Sequence, residues 1–586
     1  MKDQYYISIL CSMFDVFSEE EASALLSKCS IKDLEAGQYL IQQGDIENHM
    51  YIVLNGMFRT VVESEQGTQV LGDVSVGEPV GELAIFTKAP RSASVIALRH
   101  STVLTLDEAD YIHLSKKYPT FSISLTRYII LRLTQNAKQG KAGGAPKNIA
   151  VIQLHPEDDL QIFMKLFQQE FVKMNAAIHI YDAESLKNTN KKVLFDKMDT
   201  HNGLNFLMCD SENLEWTNLC LVYCDLVILT SYFGQKSDII SLEQTLKLHE
   251  KNVLNKKNYL LLLHDENGPE PEHTNRWYEG RELALHLHIR KNNEKDARRF
   301  GRIILHKGIG LVLGGGGAKG IAHAGATEAL VEDGLEFDFI GGTSAGALLA
   351  VGIAHSDFNF TKLAKYCESG ALHKVTTNDY TFPMLSLMSG RKIRRYLNDI
   401  LQEKLLEDLW INTFCITTNF STSQMNIIEK GLAKKCIEAS TAIPGLLPPV
   451  IFDQQLHIDG GLLDNLPIEP MFQKPVKHVV AISLSEQENI VINETTTPSV
   501  RKLIWSKYFK KTKTTMPGIP TLLINSLTIS SNQKQKNKKG QASTYLVLQL
   551  KGFGFLDWSK WRSLIKTGYK QTKDYLSTLP KEDKFW

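Results

Sequence analysis

Four consecutive glycines, Gly314 to Gly317, follow directly on the short apolar run Leu311 to Leu313, and a helix-compatible stretch follows them. This junction constrains the chain more than any other. Glycines there let several backbone N–H groups converge on one anion without side-chain obstruction, the construction of an oxyanion hole. A second apolar run, Phe337 to Ile340, leads into Gly342-Thr-Ser344-Ala-Gly346. That pattern predicts a nucleophile elbow, in which flanking glycines permit a sharp strand-to-helix turn that lifts the serine Oγ into the open. Ser344 is the candidate nucleophile, with Gly342 and Gly346 as the elbow glycines.

Other readings of the same residues stay open at this point. Gly315-x-Gly317-x-x-Gly320 after a strand also fits a dinucleotide-binding turn, and Glu336 and Asp338 lie at about the ~20-residue spacing of a ribose-binding acid. A phosphate-binding P-loop is excluded, because Lys319 is followed by Gly320 and Ile321 instead of the hydroxyl residue that holds magnesium. The serine pentapeptide could also be a plain small-residue turn. A third element discriminates: Ile458-Asp459-Gly460-Gly461, with Asn465-Leu-Pro467 behind it, presents one carboxylate at the end of an apolar strand.

Glycine loop, serine elbow and Asp-Gly-Gly, in this order, resemble the patatin-like phospholipases, which hydrolyse acyl esters with a Ser/Asp dyad. The resemblance places the nucleophile at Ser344, the base at Asp459 within the motif completed by Gly460 and Gly461, and the oxyanion loop at Gly315, Gly316, Gly317, Lys319 and Gly320. It implies a C-terminal α/β/α catalytic domain over 301–586 that needs no cofactor and no metal for catalysis. An ordinary aspartate, with a pKa of about 3.9, is a weak base, so burial or hydrogen bonding must tune the dyad. A Ser-His-Asp triad is the rival mechanism. His323, His457 and His478 are its nearest histidines, and none sits where a motif requires one.

At 586 residues the chain is too long for one core and predicts about three or four domains. Its net charge of +1 excludes a global field for nucleic acid, so partners must be sought in local patches. Eight cysteines without a CxxC pair predict reduced thiols and no structural zinc. Cys220 and Cys224 fall in an apolar, strand-like run, Leu219 to Leu229, and are expected in a core. The N-terminal residues do not read as a signal peptide, and no stretch reaches the ~18 uninterrupted apolar residues of a membrane span. The expected location is cytoplasmic, with at most peripheral contact on the inner membrane face.

Short glycine-punctuated strands between Gly37 and Val95 predict a small β-roll with helices after it. Within it, Gly81-Glu-Leu-Ala84 through Arg91-Ser92 resembles the phosphate cassette of cyclic-nucleotide-binding domains. That likeness implies Glu82 on a ribose hydroxyl, Arg91 on the cyclic phosphate and N–H donors from Leu83 and Ala84, with Gly81 shaping the turn. Ser92 bears on the choice between cAMP and cGMP, which stays open. The expected domains are 1–137 for the nucleotide roll, a glycine-rich linker 138–147, and a Rossmann-like α/β connector over 148–300 whose strands alternate with helical stretches.

This order resembles the neuropathy target esterase group, which implies a lysophospholipid or phospholipid substrate and a regulatory cyclic nucleotide. The expectation differs from that group in two respects, a chain without an N-terminal membrane anchor and with one recognisable nucleotide cassette. A basic, aromatic run at 501–513, backed by Lys534, Lys536, Lys538 and Lys539, reads either as a solvated face or as a patch for anionic lipid. The alternative function is a nucleotide-responsive binding or scaffold protein with an inactive hydrolase domain.

Overall fold

The computed structural model describes residues 2–13, 18–64, 67–82, 87, 89–119, 121–123, 126, 145–155, 160–186, 191–250, 256–375, 379–484, 496–497, 499, 529, 531, 533, 538–580, 582 and 584–586. Leu83, Ala84, the run 501–513, Lys534, Lys536, linker positions 138–144 and most of the helix expected over 121–137 lie outside the described residues. The chain divides into two compact units, Met1–Gly308 with Phe472–Lys477, and Ile309–Met471 with His478–Trp586.

The first unit opens with a β-roll of two four-stranded sheets. One sheet orders Ser30–Leu34, Ser101–Asp107, His49–Asn55 and Pro79–Val80, and the other Tyr39–Ile41, Ser94–Ala97, Met57–Ser64 and Gly67–Ser75. Its inward residues, among them Ile52, Leu54, Phe58, Val103 and Leu104, are fully buried. Beyond the roll, six parallel strands form the connector sheet in the spatial order Ile178–Tyr181, Leu204–Met208, Asn148–Gln153, Leu226–Tyr232, Lys257–His264, Leu285–Arg290. In chain order this is 2-3-1-4-5-6, which differs from the 3-2-1-4-5-6 of the dinucleotide fold.

Two sequence expectations for the connector change. The run Leu219 to Leu229 is not one strand: Leu214–Tyr223 is a helix capped by Asn213, whose side chain accepts from the Trp216 N–H, and the strand begins only at Leu226. Cys220 and Cys224 are buried as expected, but on the helix and at its C-cap. The unbroken apolar run Leu219 to Tyr223 at the end of that helix imitates a buried strand, so periodicity could not separate the two. Leu204–Met208 and Leu285–Arg290 also escaped sequence reading, the second because buried His286 and His288 alternate with its apolar residues.

The second unit is built on one mixed sheet. Its strands are β1 (Gly308–Leu313), β2 (Phe339–Thr343), β3 (Asn412–Asn419), β4 (Gln424–Ile428), β5 (Val450–Phe452), β6 (Gln455–Asp459), β7 (Val476–Leu484) and β8 (Thr544–Leu548), ordered β5-β6-β3-β2-β1-β7-β8 with β4 paired to β3. Helices α1 (Ala322–Glu332), α2 (Ala345–His355), α3 (Phe360–Leu372), α4 (Arg391–Leu401), α5 (Ala433–Ser440) and α6 (Trp561–Thr578) complete it. Every residue of β1 and β2 is buried, as expected for central parallel strands covered on both faces. Helix α2 is apolar nearly all round and lies in the core, whereas α4 buries Ile393, Tyr396, Leu397 and Leu401 and turns its arginines outward. Helices α1 and α6 approach through glycine: a Cβ on Gly325 would stand 2.0 Å from the Ile565 carbonyl oxygen, and one on Gly568 2.1 Å from that of Ala322.

Candidate active site

Strand pairing brings the two motif residues together. Along β3, Ile416 is registered with Thr343, the last residue of β2, and its neighbour Thr417 with Asp459, the last residue of β6. Ser344, just past one strand end, and Asp459, at the other, are 115 residues apart in sequence and are brought together on consecutive positions of one strand. The Ser344 hydroxyl donates to Asp459 Oδ2 at 2.6 Å, and the other carboxylate oxygen accepts the Gly461 N–H at 2.7 Å.

The turn at Ser344 is a strained one. Its φ of 56° and ψ of −123° are a conformation that a non-glycine residue adopts at a cost of about 1–3 kcal/mol. The flanking glycines are sterically required: a Cβ on Gly346 would lie 2.0 Å from the Leu313 carbonyl oxygen, and one on Gly342 2.4 Å from the backbone of Gly346. Helix α2 starts at Ala345, so its N-terminal dipole points at the serine.

Asp459 is 4% exposed. Burial pushes its carboxyl up to about 6, against the lowering effect of the Ser344 and Gly461 hydrogen bonds. The tuning that sequence could not reveal is therefore desolvation, and it leaves a carboxylate able to exchange a proton near neutral pH.

The glycine loop packs against the serine, for a Cβ on Gly315 would meet Ser344 Cβ at 3.1 Å. The loop N–H groups are not equivalent. That of Gly315 donates to the Asn465 carbonyl at 3.2 Å and that of Ala318 to the Phe555 carbonyl at 2.7 Å. Among the described residues, the N–H groups of Gly316 and Gly317 have no such backbone partner, and Gly317 holds φ at +61° as the chain enters a 3-10 turn. Gly320 is required elsewhere: its Cβ would stand 2.6 Å from that of Ala345, so it seats the loop's turn on the elbow helix. Lys319 is half-buried beside it.

None of the three rival histidines bonds to the pair; His478 meets Ser543 Oγ through Nδ1 at 3.2 Å. His323 is fully buried; its Nε2–H donates to the Gly314 carbonyl at 2.8 Å, and burial pushes the ring down to about 4, so it stays neutral and pins the loop. His457 meets Thr417 Oγ1 through Nδ1 at 2.9 Å. The ribose-acid reading fares no better, since Asp338 is fully buried and accepts from the Ile309 N–H at 2.8 Å. Among the described residues no cluster of His, Cys, Asp or Glu could hold a metal ion.

Three supporting residues carry no motif. Ser440, the last residue of α5 and fully buried, accepts the Ser344 N–H at 2.9 Å and donates to the Ile416 carbonyl at 2.6 Å. Asp464 holds the Thr343 hydroxyl through its carbonyl oxygen at 2.9 Å, while its carboxylate accepts from Lys538 Nζ at 2.8 and 2.9 Å. Burial raises the Asp464 carboxyl and the Lys538 ammonium opposes that rise. Lys538, which also pairs with Glu469, is thus a buried ion-pair partner of the site and not part of a solvated or lipid-facing basic patch. Short polar side chains such as Ser440 give no sequence signal, because their role depends on a strand 24 residues away. Replacing Ser440 by alanine leaves a buried N–H and a buried carbonyl short of a partner, so a loss of about 1–3 kcal/mol is expected in denaturant unfolding; an unchanged midpoint would refute the bridge.

In the nucleotide roll, Arg91 is 5% exposed and turned inward. Its guanidinium donates to the carbonyls of Gly81 at 2.9 Å and His49 at 2.7 Å, and Glu47 lies 3.6 Å away. Among the described residues its buried Nε has no partner. Glu82 is half-buried and Ser92 exposed.

Residues 311–472 match the family model described as patatin-like phospholipase, in agreement with the fold and the site. Residues 31–118 match the cyclic nucleotide-binding domain, and 162–307 the neuropathy target esterase family P-loop like domain. The whole arrangement is similar to proteins of the neuropathy target esterase group. Lysophospholipase NTE1 of Candida albicans is 25% identical across 94% of this chain and 46% of its own length. Patatin-like phospholipase domain-containing protein 7 of Rattus norvegicus is 25% identical over 92% and 44%, and domain-containing protein 6 of Homo sapiens 26% identical over 78% and 37%. The chain spans less than half the length of these relatives. Among the described residues no helix is long and apolar enough to cross a membrane.

Proposed function

We propose that the chain is a serine acyl hydrolase that releases fatty acid from lysophospholipids or phospholipids through a Ser344/Asp459 dyad. The observation that carries this reading is the 2.6 Å hydrogen bond from the serine hydroxyl to a buried carboxylate whose pKa is lifted to about 6. Ser344 Oγ attacks the ester carbonyl while its proton passes to Asp459 Oδ2. The N–H groups of Gly316 and Gly317 hold the oxyanion, each donor contributing roughly 10²–10³ in rate. Collapse breaks the ester C–O bond, and the protonated Asp459 returns its proton to the departing alkoxide. Water then attacks the acyl-serine, its proton passing to Asp459; collapse breaks the acyl C–Oγ bond, Asp459 returns that proton to Ser344 Oγ, and the fatty acid is released.

The roll supplies a cyclic-nucleotide input in this reading. Arg91, already held at the cassette, offers its guanidinium to the phosphate, and Glu82 accepts from the ribose. The domain limits 1–137, 148–300 and 301–586 follow the same assignment.

A fluorophosphonate probe and micellar lysophosphatidylcholine test the reading together. The expected result is one phosphonyl adduct, on Ser344, with fatty acid release falling in proportion to labelling, and a release rate that responds to cAMP or cGMP in the wild type. An adduct on another residue with release intact rejects the dyad. Nucleotide binding without any acid release assigns the chain to the regulated binding proteins instead.

A further inference from the structure

The segment from Tyr380 to Leu387 carries the largest concentration of exposed apolar side chains in the described chain: Tyr380 is 75% exposed, Phe382 80%, Met384 80%, Leu385 73% and Leu387 38%. Exposure of single apolar residues is ordinary, but five within eight positions is not. The segment is also not a loose end. Tyr380 bridges Met388 in antiparallel fashion, Thr381 N–H donates to the Leu387 carbonyl at 3.1 Å, and Ser389 returns to Asp379 through its N–H at 2.8 Å and its hydroxyl at 2.6 Å. Ser386 and Met388 are buried anchors. The base is tied, so the apolar tip is held out in water by ordered structure.

Its position is beside the dyad. Leu387 and Met388 donate to the carbonyls of Gly445 and Leu446 at 2.9 and 3.0 Å. That strip follows Ala442, whose carbonyl accepts the Asp459 N–H at 2.9 Å, and Ser440, which holds the Ser344 N–H. Directly after the tip come Arg391, Lys392, Arg394 and Arg395 in the first two turns of α4, with no acid between Asp379 and them. Arg391, Arg394 and Arg395 are exposed; Arg394 meets Glu438 at 2.8 Å, and Arg391 lies 4.0 Å from the buried Asp379.

An apolar tip followed directly by a cationic helix start matches one occupant, a lipid surface whose acyl layer takes the tip and whose anionic headgroups meet the arginines. We infer that residues 380–387 form an interfacial anchor that sets the dyad against anionic lipid aggregates. The inference rests on the acyl-hydrolase reading for its biological sense, but its binding test does not. Aromatic, methionine and leucine side chains insert below the headgroups, and the α4 cations add an attraction that salt weakens.

The test uses the full chain carrying Ser344→Ala, so that vesicles survive, sedimented with vesicles of phosphatidylcholine alone or mixed with phosphatidylglycerol. Adding Phe382→Ser, Met384→Ser and Leu385→Ser together is expected to lower partition at least ~10-fold on both lipids. Arg391→Gln with Arg395→Gln is expected to lose only the salt-sensitive advantage of the mixed vesicles. With Ser344 restored, the triple variant should hydrolyse a short soluble ester at the wild-type rate and micellar lysophospholipid at least ~10-fold more slowly.

Failure of the parent to sediment, or a triple variant that sediments equally well, overturns the anchor. So does a parent dimer that the triple variant dissociates, since a second copy would then own the face. A parent that binds through the tip yet cleaves neither ester leaves the anchor standing and refutes the hydrolase; loop-independent binding with full hydrolysis does the reverse.

Discussion

Asp459→Asn is expected to lower kcat/KM for lysophospholipid by about 10³–10⁴ and at the same time to stabilise the C-terminal unit. The first effect follows because the amide cannot take the proton of Ser344, while the neighbouring groups that position substrate are kept. The second follows from burial. Asp459 titrates near 6 in the folded chain against about 3.9 unfolded, so the folded state holds the proton more tightly. That contribution to stability is complete below the unfolded pKa and is lost as pH rises through 6. At neutral pH the wild type therefore folds around an unfavourable carboxylate, a penalty on the order of 2–3 kcal/mol that the neutral amide avoids. Denaturant unfolding at two pH values checks the sign: the variant's advantage should be present at pH 7.5 and shrink toward pH 4. The wild-type rate should rise with pH through an apparent pKa near 6, since the base must be ionised. A variant that keeps activity, or one that is less stable at pH 7.5, would contradict the role assigned to the buried carboxylate.

Much of this site could be read before any coordinates, for a physical reason. Ser344 and Asp459 stand at strand ends where the backbone must turn sharply, and the chain can do so only through glycines that leave a mark: Gly342 and Gly346 avoid clashes of 2.0–2.4 Å. Their meeting could not be read, because it depends on Ile416 and Thr417 of a strand that no motif marks. The roles of Ser440, His323 and Asn465 could not be read for a related reason. Each acts on a backbone group, the N–H of Ser344, the carbonyl of Gly314 and the N–H of Gly315 in turn, and a backbone group has no residue identity to pattern against. Lys538 was misread as one more cation in a basic stretch, since charge runs do not announce which member turns inward to Asp464. In the connector, the end of the helix Leu214–Tyr223 passed for a strand because its last residues, Leu219 to Tyr223, are all apolar and a short unbroken apolar run carries neither the 2.0 nor the 3.6 period.

Replacing Arg99 by methionine is expected to cost about 3–5 kcal/mol of stability. Arg99 is fully buried, lies between two strands of the nucleotide roll, and reaches the connector: its Nε donates to Asp225 Oδ1 at 2.5 Å and its Nη1 to Asp199 Oδ1 at 3.3 Å. The second oxygen of each acid is also engaged, Asp225 Oδ2 by the N–H groups of Lys147 and Asn148 at 2.8 and 2.9 Å and Asp199 Oδ2 by Asn55 at 2.6 Å. Together the acids hold the arginine in its charged form, raised further by their proximity against the cost of burial. Methionine fills comparable volume but leaves Asp225, 2% exposed in its side chain, without its cation. Since the penalty is an unpaired buried charge and not a lost contact, adding Asp225→Asn should recover a substantial part of it, giving a coupling of at least about 1 kcal/mol in a double-mutant cycle. The same network ties the roll to the connector, so the single variant should also split one unfolding transition into two. A loss under about 1 kcal/mol, or a double variant no more stable than Arg99→Met, would show that packing and not this charge cluster joins the sensor to its connector.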